Sequence, residues 1–92
     1  MYSAYLLINT KFGKKKLVST RLNNFEEVSL LNETHGRYDL VIRIDCEDAN
    51  SFEEFMQNNI NTIEDIQKAE TLIVANTSSG FEDDDLDEPE ED

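Results

Sequence analysis

The sequence predicts an α+β sandwich in which two helices cover one face of a four-stranded antiparallel sheet. Three observations lead to this prediction. Four short runs are rich in aliphatic residues, two segments between them repeat apolar residues at helical spacing, and a glycine-containing turn joins the two middle strands. The predicted element order is therefore β-α-β-β-α-β.

The first strand and the first helix are predicted from their apolar patterns. Residues 2–9 (YSAYLLIN) carry apolar side chains on both faces, which is typical of a strand that is covered on both sides. Residues 14–23 place Leu17, Val18 and Leu22 at helical spacing, with lysines on the solvent side. The chain therefore begins with a β-α unit.

The two middle strands form a predicted hairpin. Residues 25–33 have strand character, and Leu31 is predicted to face away from its apolar neighbours. Gly36 tolerates a positive φ and marks the turn that follows. Residues 38–46 then alternate between apolar and polar side chains, which indicates a strand with one face toward the core.

The second helix has the clearest pattern in the chain. Its apolar stripe consists of Phe52, Phe55, Met56, Ile60 and Ile63. Asn50 is predicted to cap this helix, with Glu53 completing a capping box. Residues 66–76 form the last strand, in which Ile73 is predicted to lie on the face away from the helices. Two right-handed β-α-β units that share one sheet give the ferredoxin-like arrangement.

The sheet face away from the helices is predicted to be apolar, whereas a monomer should expose a polar surface there. A domain of this size buries only about 60–65% of its unfolded surface, so it gains stability from a partner. We therefore predict a homodimer that associates through this face. The residues predicted to form the interface are Tyr5, Leu7, Leu31, Val41 and Ile73.

The charge of the chain is concentrated at its C-terminus. The 92 residues carry a net charge of −13, and nine of the 21 acidic residues lie in the last 12 positions, where no basic residue occurs. We expect residues 1–76 to form one domain and residues 77–92 to be a disordered acidic tail. Alternatively, Phe81 and Leu86 can anchor the tail on a basic partner, including the lysine-rich segment of a neighbouring subunit.

The composition excludes several classes of protein. No run approaches the roughly 18 apolar residues that cross a bilayer, and the N-terminus lacks the basic stretch of a secretory signal. Cys46 is the single cysteine and belongs to no metal-binding motif. We expect a cytoplasmic protein without membrane association, metal or cofactor. Because its body is net negative, we also expect no direct binding to nucleic acid.

Three segments carry motifs of one known family. Residues 34–40 (THGRYDL) are similar to a Gly-x-Tyr/Phe-Asp turn that leads into a third strand. Asp48, Phe52 and Phe55 are similar to an Asp-x-x-x-Leu-x-x-Phe helix start, and residues 63–71 are similar to Leu-Pro-Gly-Val-x-x-Thr-x-Thr. Together these motifs resemble the ligand-binding (RAM) domain of the Lrp/AsnC transcription regulators.

This resemblance implies a function as well as a fold. Full-length family members begin with a helix-turn-helix, whereas the first strand here begins at residue 2, so a stand-alone form is implied. Family domains dimerise through their sheets, often form rings of eight subunits, and bind amino-acid effectors between dimers. A stand-alone copy would modulate transcription through its assembly or through a DNA-binding Lrp/AsnC paralogue. The implied effector site consists of Thr34, His35, Gly36, Arg37, Tyr38, Asp39 and Thr71, whereas Ala69 departs from the family's first threonine.

The residues alone leave alternatives open for this site. Asp39 can bind the α-ammonium group of an amino acid or accept hydrogen bonds from turn amides. His35 has no evident nucleophile or orienting acid, so no catalytic residue is predicted. The alternative function is a small cofactor-free enzyme of the dimeric α/β-barrel type, a monooxygenase or an isomerase. Such an enzyme needs a catalytic His, Asn or Trp in its pocket, whereas the inward strand positions here are aliphatic.

Overall fold

The helices and strands follow the predicted order. The computed structural model describes residues 1–75, so the predicted boundary at residue 76 and the acidic tail lie outside the described residues. The elements are β1 (Tyr2–Thr10), α1 (Lys15–Leu22), β2 (Val28–Glu33), β3 (Leu40–Cys46), α2 (Ala49–Phe55) and β4 (Ile66–Ile73). One π-helical turn, Met56–Ile60, continues α2.

The four strands form one antiparallel sheet in the order β2-β3-β1-β4. In the central pair, Leu6 of β1 lies opposite Ile42 of β3, and Leu7 lies opposite Val41. Residues that lie directly opposite each other in an antiparallel pair share a face. The register of each ladder therefore decides which side chains face the helices.

A single core fills the space between the sheet and the helices. Its buried residues are Ala4, Leu6, Ile8, Val18, Leu22, Leu40, Ile42, Ile44, Cys46, Phe52, Phe55, Ile60 and Ile63. Both helices contribute to this cluster together with the inward positions of β1 and β3, so both helices lie on the same face of the sheet. The predicted ferredoxin-like sandwich is confirmed. Burial of each large aliphatic side chain contributes about 1.5–3 kcal/mol, which makes this core the main source of stability.

Helix α2 begins earlier than the sequence pattern predicts. Asp48 caps it, because its Oδ1 accepts a hydrogen bond from the backbone N–H of Ser51 at 2.8 Å. This bond from Ser51 lowers the pKa of the Asp48 carboxyl. The prediction that Asn50 caps the helix is wrong, since Asn50 already lies in the first turn. Asp and Asn are equally suited to the cap position, and the extended backbone of Asp48 decides between them.

A β-bulge in β2 moves one predicted interface residue to the other face. The register of β2 against β3 shifts between Val28 and Leu30, and beyond the shift Leu31 lies opposite the inward-facing Ile42. Leu31 consequently packs against the core, while Leu30 faces outward and is 43% exposed. The predicted position of Leu31 on the outer face is wrong, because the extra residue, Ser29, inverts the alternation.

A second bulge has the same effect in β4. The register of β4 against β1 shifts at Gln67, and beyond the shift Ile73 lies opposite the inward-facing Ala4. Its neighbour Leu72 lies opposite the outward-facing Tyr5. The predicted position of Ile73 on the outer face is therefore wrong, and Leu72 takes that place. Strand β4 is exposed along most of its length on both faces.

Candidate functional site

The hairpin between β2 and β3 is held by three hydrogen bonds of Thr34. Its backbone N–H donates to the carbonyl of Asp39 at 2.9 Å, and its hydroxyl donates to the carbonyl of Tyr38 at 2.6 Å. Its own carbonyl accepts from Nζ of Lys15 at 3.0 Å. Thr34 therefore closes the turn and connects it to the start of α1.

The tip of the hairpin is open to solvent. His35, Gly36 and Arg37 are all exposed. Gly36 has φ of +129°, a conformation that residues with a side chain rarely adopt, and a Cβ placed there would meet no atom within 4 Å. Glycine is thus required by the backbone, and the space around the tip is free to accept a ligand or a partner.

Tyr38 connects the hairpin to β4 across the outer face of the sheet. Its hydroxyl donates a hydrogen bond to Oε1 of Glu70, which lies opposite the outward-facing Leu7. This hydrogen bond to Glu70 raises the pKa of the Tyr38 phenol. Within one chain, the hydroxyl of Tyr38 therefore already donates its hydrogen bond to Glu70.

Asp39 fastens the start of β3 to the end of β1. Its Oδ2 accepts hydrogen bonds from the backbone N–H of Thr10 at 2.9 Å and from the Thr10 hydroxyl at 3.2 Å. The backbone N–H of Asp39 donates to the carbonyl of Ile8 at 2.9 Å. Of the two roles that the sequence left open, the structural one is present. Since both side-chain bonds use Oδ2, the second carboxylate oxygen can still accept a hydrogen bond from a ligand.

Asp39 also lines two adjoining concavities. The first has a volume of about 410 Å³, and its lining residues are Asn9, Thr10, Asp39, Gln67 and Lys68. The second has a volume of about 370 Å³ and extends from Asp39 to the β1–α1 loop, including Phe12 and Lys15. Each is large enough for a small ligand. The residues that line the first include a carboxylate, an ammonium group and two side-chain amides.

The structure does not bring Thr71 to this place within one chain. Thr71 lies opposite Leu6 on the helix-facing side of β4 and is exposed there. Its contribution from a neighbouring subunit stays a prediction.

Sequence reasoning missed Thr10 and Lys68, although the signal was available. Antiparallel pairing of β4 with β1, which the predicted fold implies, places the start of β4 beside the end of β1.

The outer face of the sheet is mainly apolar in its middle. The register places these apolar residues there: Tyr5, Leu7, Leu30, Val41 and Leu72. Arg43 lies among them, with Nε 3.1 Å from Oδ1 of Asp45 and its guanidinium carbon 5.5 Å from the ring centroid of Tyr5. Burial works to raise the pKa of Asp45, but hydrogen bonds from Ser29, Ser3 and Arg43 hold it below its ordinary value. The charge of Arg43 is thus compensated within the subunit.

The remaining sequence features are accounted for by the fold. Cys46 is buried, and burial raises the pKa of its thiol. Among residues 1–75, no group of three His, Cys, Asp or Glu side chains is arranged to hold a metal ion. None of the helices in the same range has the length and hydrophobicity needed to cross a membrane.

Comparison with known proteins identifies relatives of this domain. Residues 3–80 match the family described as the Lrp/AsnC ligand binding domain. The HTH-type transcriptional regulator FL11 of Pyrococcus abyssi is 32% identical over 74 residues, which are 80% of this chain and 48% of that protein. The chain therefore spans about half the length of the curated relatives of this type that it matches.

Solved structures agree with this match. The crystal structure of FFRP-DM1 has a TM-score of 0.78 and 27% identity, and the match covers 80% of this chain and 99% of that one. The structure of Escherichia coli AsnC has a TM-score of 0.79 and 26% identity, covering 87% of this chain and 54% of that one. The curated relatives are named transcriptional regulators, in line with the predicted regulatory rather than enzymatic role of this domain. The fold, the Gly-x-Tyr-Asp hairpin and the match over residues 3–80 show that this chain belongs to the Lrp/AsnC family through its ligand-binding domain.

Proposed function

We propose that this chain senses an amino acid and transmits the bound state through its assembly. Two copies associate through the outer faces of their sheets, and dimers join into a larger ring such as an octamer. The effector binds at the hairpin where neighbouring subunits meet. The assembled module works in the cytoplasm and acts on transcription through a DNA-binding Lrp/AsnC paralogue, without contacting nucleic acid through this domain.

One observation carries the proposed ligand class, namely that Asp39 and Lys68 line the same concavity. A zwitterionic amino acid needs an acceptor for its ammonium group and a donor for its carboxylate. The free oxygen of Asp39 can supply the first, and the ammonium group of Lys68 can supply the second. The exposed Arg37 and the backbone at Gly36 offer further donors from an adjoining subunit.

The outer face supports the proposed dimer. Its apolar residues are only partly covered within the subunit, and Leu30 and Leu72 remain 43% and 49% exposed. Glu70, which also lies on this face, accepts the hydrogen bond of Tyr38, and the charge of Arg43 is paired with Asp45. Burying this face against a second copy would therefore remove apolar surface from water without leaving that charge unpaired.

Isothermal titration calorimetry with a panel of the common amino acids tests the proposed effector site. The informative variant is Asp39→Asn, because its side-chain oxygen can still accept the hydrogen bonds of Thr10. Asp39→Ala would instead leave the Thr10 N–H without its partner and destabilise the hairpin by about 1–3 kcal/mol. We expect Asp39→Asn to weaken effector binding by about 10- to 150-fold, the equivalent of a charge-assisted hydrogen bond of about 1.5–3 kcal/mol.

Glu53→Gln provides the matched control, since Glu53 is an exposed carboxylate on α2. This substitution should leave the affinity unchanged. The absence of heat with every amino acid, or an unchanged affinity in Asp39→Asn, would contradict the proposed site. Sedimentation of the same samples shows whether binding changes the size of the assembly.

A further inference from the structure

Positive charge is concentrated on one part of the domain. Five of the eight basic residues of the whole chain lie between positions 11 and 21, namely Lys11, Lys14, Lys15, Lys16 and Arg21. That segment contains no acidic residue, whereas the rest of the described chain carries 12 acidic and three basic residues. The β1–α1 loop and helix α1 therefore form a strongly basic surface, here called the α1 surface, on a domain that is otherwise acidic.

An apolar groove runs along the same surface. It has a volume of about 490 Å³, and its lining residues are Gly13, Lys16, Leu17, Thr20, Arg21 and Asn24. Leu17 is 58% exposed there, and Phe12, in the loop before the helix, is fully exposed. Exposed apolar side chains bordered by cations are suited to bind a segment that alternates acidic and apolar residues.

We propose that residues 81–92 of this chain bind to the α1 surface. This segment contains nine acidic residues and no basic one, and its only large apolar residues are Phe81 and Leu86. The acidic side chains pair with Lys14 and Lys16, while the two apolar side chains enter the groove beside Leu17. Bound in this way, the segment withholds the basic surface from other anionic partners.

The geometry of the sheet allows the contact within one chain. The backbone N–H of Val74 donates to the carbonyl of Ser3 at 2.9 Å, so β4 ends where β1 begins. The chain that leaves α1 enters β2 at this same end, since Val28 lies opposite Ile44 and Ile44 lies opposite Ala4. The edge strands β2 and β4 are three strand spacings apart, about 14 Å. Lys14 and Lys16 lie one helix length farther, about 12 Å, because α1 begins at the opposite end of the sheet.

The length of the segment is sufficient for this distance. Residues 76–80 form the tether and can extend over at most about 18 Å, and residues 81–92 can extend over about a further 40 Å along α1. A tether of this length also gives a local concentration of the acidic segment in the millimolar range, so weak ionic and apolar contacts suffice to hold it.

Fluorescence of the full chain carrying Phe81→Trp tests the proposal. The protein contains no tryptophan, so all tryptophan fluorescence of this variant comes from position 81. At low salt we expect blue-shifted emission and at least twofold weaker quenching by acrylamide than in the urea-unfolded protein. Because high salt shortens the Debye length to about 3 Å, it should shift the emission toward that of an exposed tryptophan.

Substitutions on the α1 surface identify the binding partner. When Lys14→Gln and Lys16→Gln are added to the Phe81→Trp protein, acrylamide quenching should rise to the value of an exposed tryptophan. Leu17→Ser should have the same effect on quenching without changing the charge. Lys15 is left intact because it bonds to Thr34. Gln57→Glu and Asn58→Asp lower the net charge by the same two units at exposed positions away from the α1 surface and should not alter the signal.

Two results would overturn the proposal. The first is full quenching of the tryptophan at low salt in the protein that carries Phe81→Trp alone, or equal protection of the tryptophan after Lys14→Gln and Lys16→Gln are added. The second is protection that disappears on dilution, which would show that the segment binds to a neighbouring copy. The readout needs no amino-acid effector, so its failure is distinct from a failure of the proposed effector site.

Discussion

Leu72 and Ile73 offer a direct test of the face through which two subunits associate. They are adjacent in β4 and nearly equally exposed, at 49% and 45%, but they lie on opposite faces of the sheet. We predict that Leu72→Glu dissociates the proposed homodimer, whereas Ile73→Glu leaves it intact. Each variant adds the same charge at almost the same place, so only the face differs.

The expected effect follows from the exposed part of Leu72. Full burial of a leucine side chain contributes about 1.5–3 kcal/mol, and half of this side chain still faces solvent, so each subunit would lose about 0.8–1.5 kcal/mol. A twofold dimer contains the residue twice, and each unpaired carboxylate at the contact adds several kcal/mol. The dissociation constant should therefore increase by at least about 100-fold in Leu72→Glu.

Sedimentation equilibrium over a range of protein concentrations measures this change. Far-UV circular dichroism of the same samples shows whether the variants remain folded, which is expected because both side chains are exposed. An unchanged dimer in Leu72→Glu would refute the reasoning. Dissociation of Ile73→Glu alone would place the contact on the helix-facing side of β4.

Two further predictions concern the stability of the single domain. Asp48→Ala should lower the midpoint of thermal unfolding, because the Ser51 N–H loses its partner, whereas Asp48→Asn should retain most of the stability. The folded-state pKa of Asp48 lies below its ordinary value of 3.8, so the stabilisation from its carboxylate is complete above pH 3.8 and is lost as the pH falls through the lowered pKa. Equal unfolding midpoints of the parent protein and Asp48→Ala at neutral pH would contradict the capping role of Asp48. Gly36→Ala should reduce the free energy of unfolding in urea by about 1–3 kcal/mol, because φ is +129° there, and an unchanged value would show that the turn can relax.

Local patterns determined much of this fold. The alternation over residues 38–46 correctly predicted that Leu40, Ile42 and Ile44 face the core, and these residues are fully buried in β3. A central strand with one face against the helices must keep a period of two, so its sequence records which face is covered. The helical stripe that contains Phe52 and Phe55 was equally informative, because it packs on the same core.

The candidate site was determined in part by the same local information. Gly36 and Asp39 belong to a short turn motif whose chemistry is contained in neighbouring residues, and the sequence identified both. Thr10 bonds to Asp39, and Lys68 lines the same concavity, only through the pairing of strands that are distant in the chain. No single segment of the sequence contains that pairing, so the sequence pattern did not reveal the shared concavity.

The faces of the two edge strands were decided by the tertiary structure alone. Leu30 and Leu31 in β2, like Leu72 and Ile73 in β4, are adjacent apolar residues, so hydrophobicity does not distinguish the inward one from the outward one. One extra residue in each strand, at Ser29 and Gln67, inverts the alternation against the neighbouring strand. The sequence by itself determined which segments become strands, because strand formation depends on local composition and period. The structure decided which face each edge strand presents, because that depends on hydrogen bonds to a partner strand elsewhere in the chain.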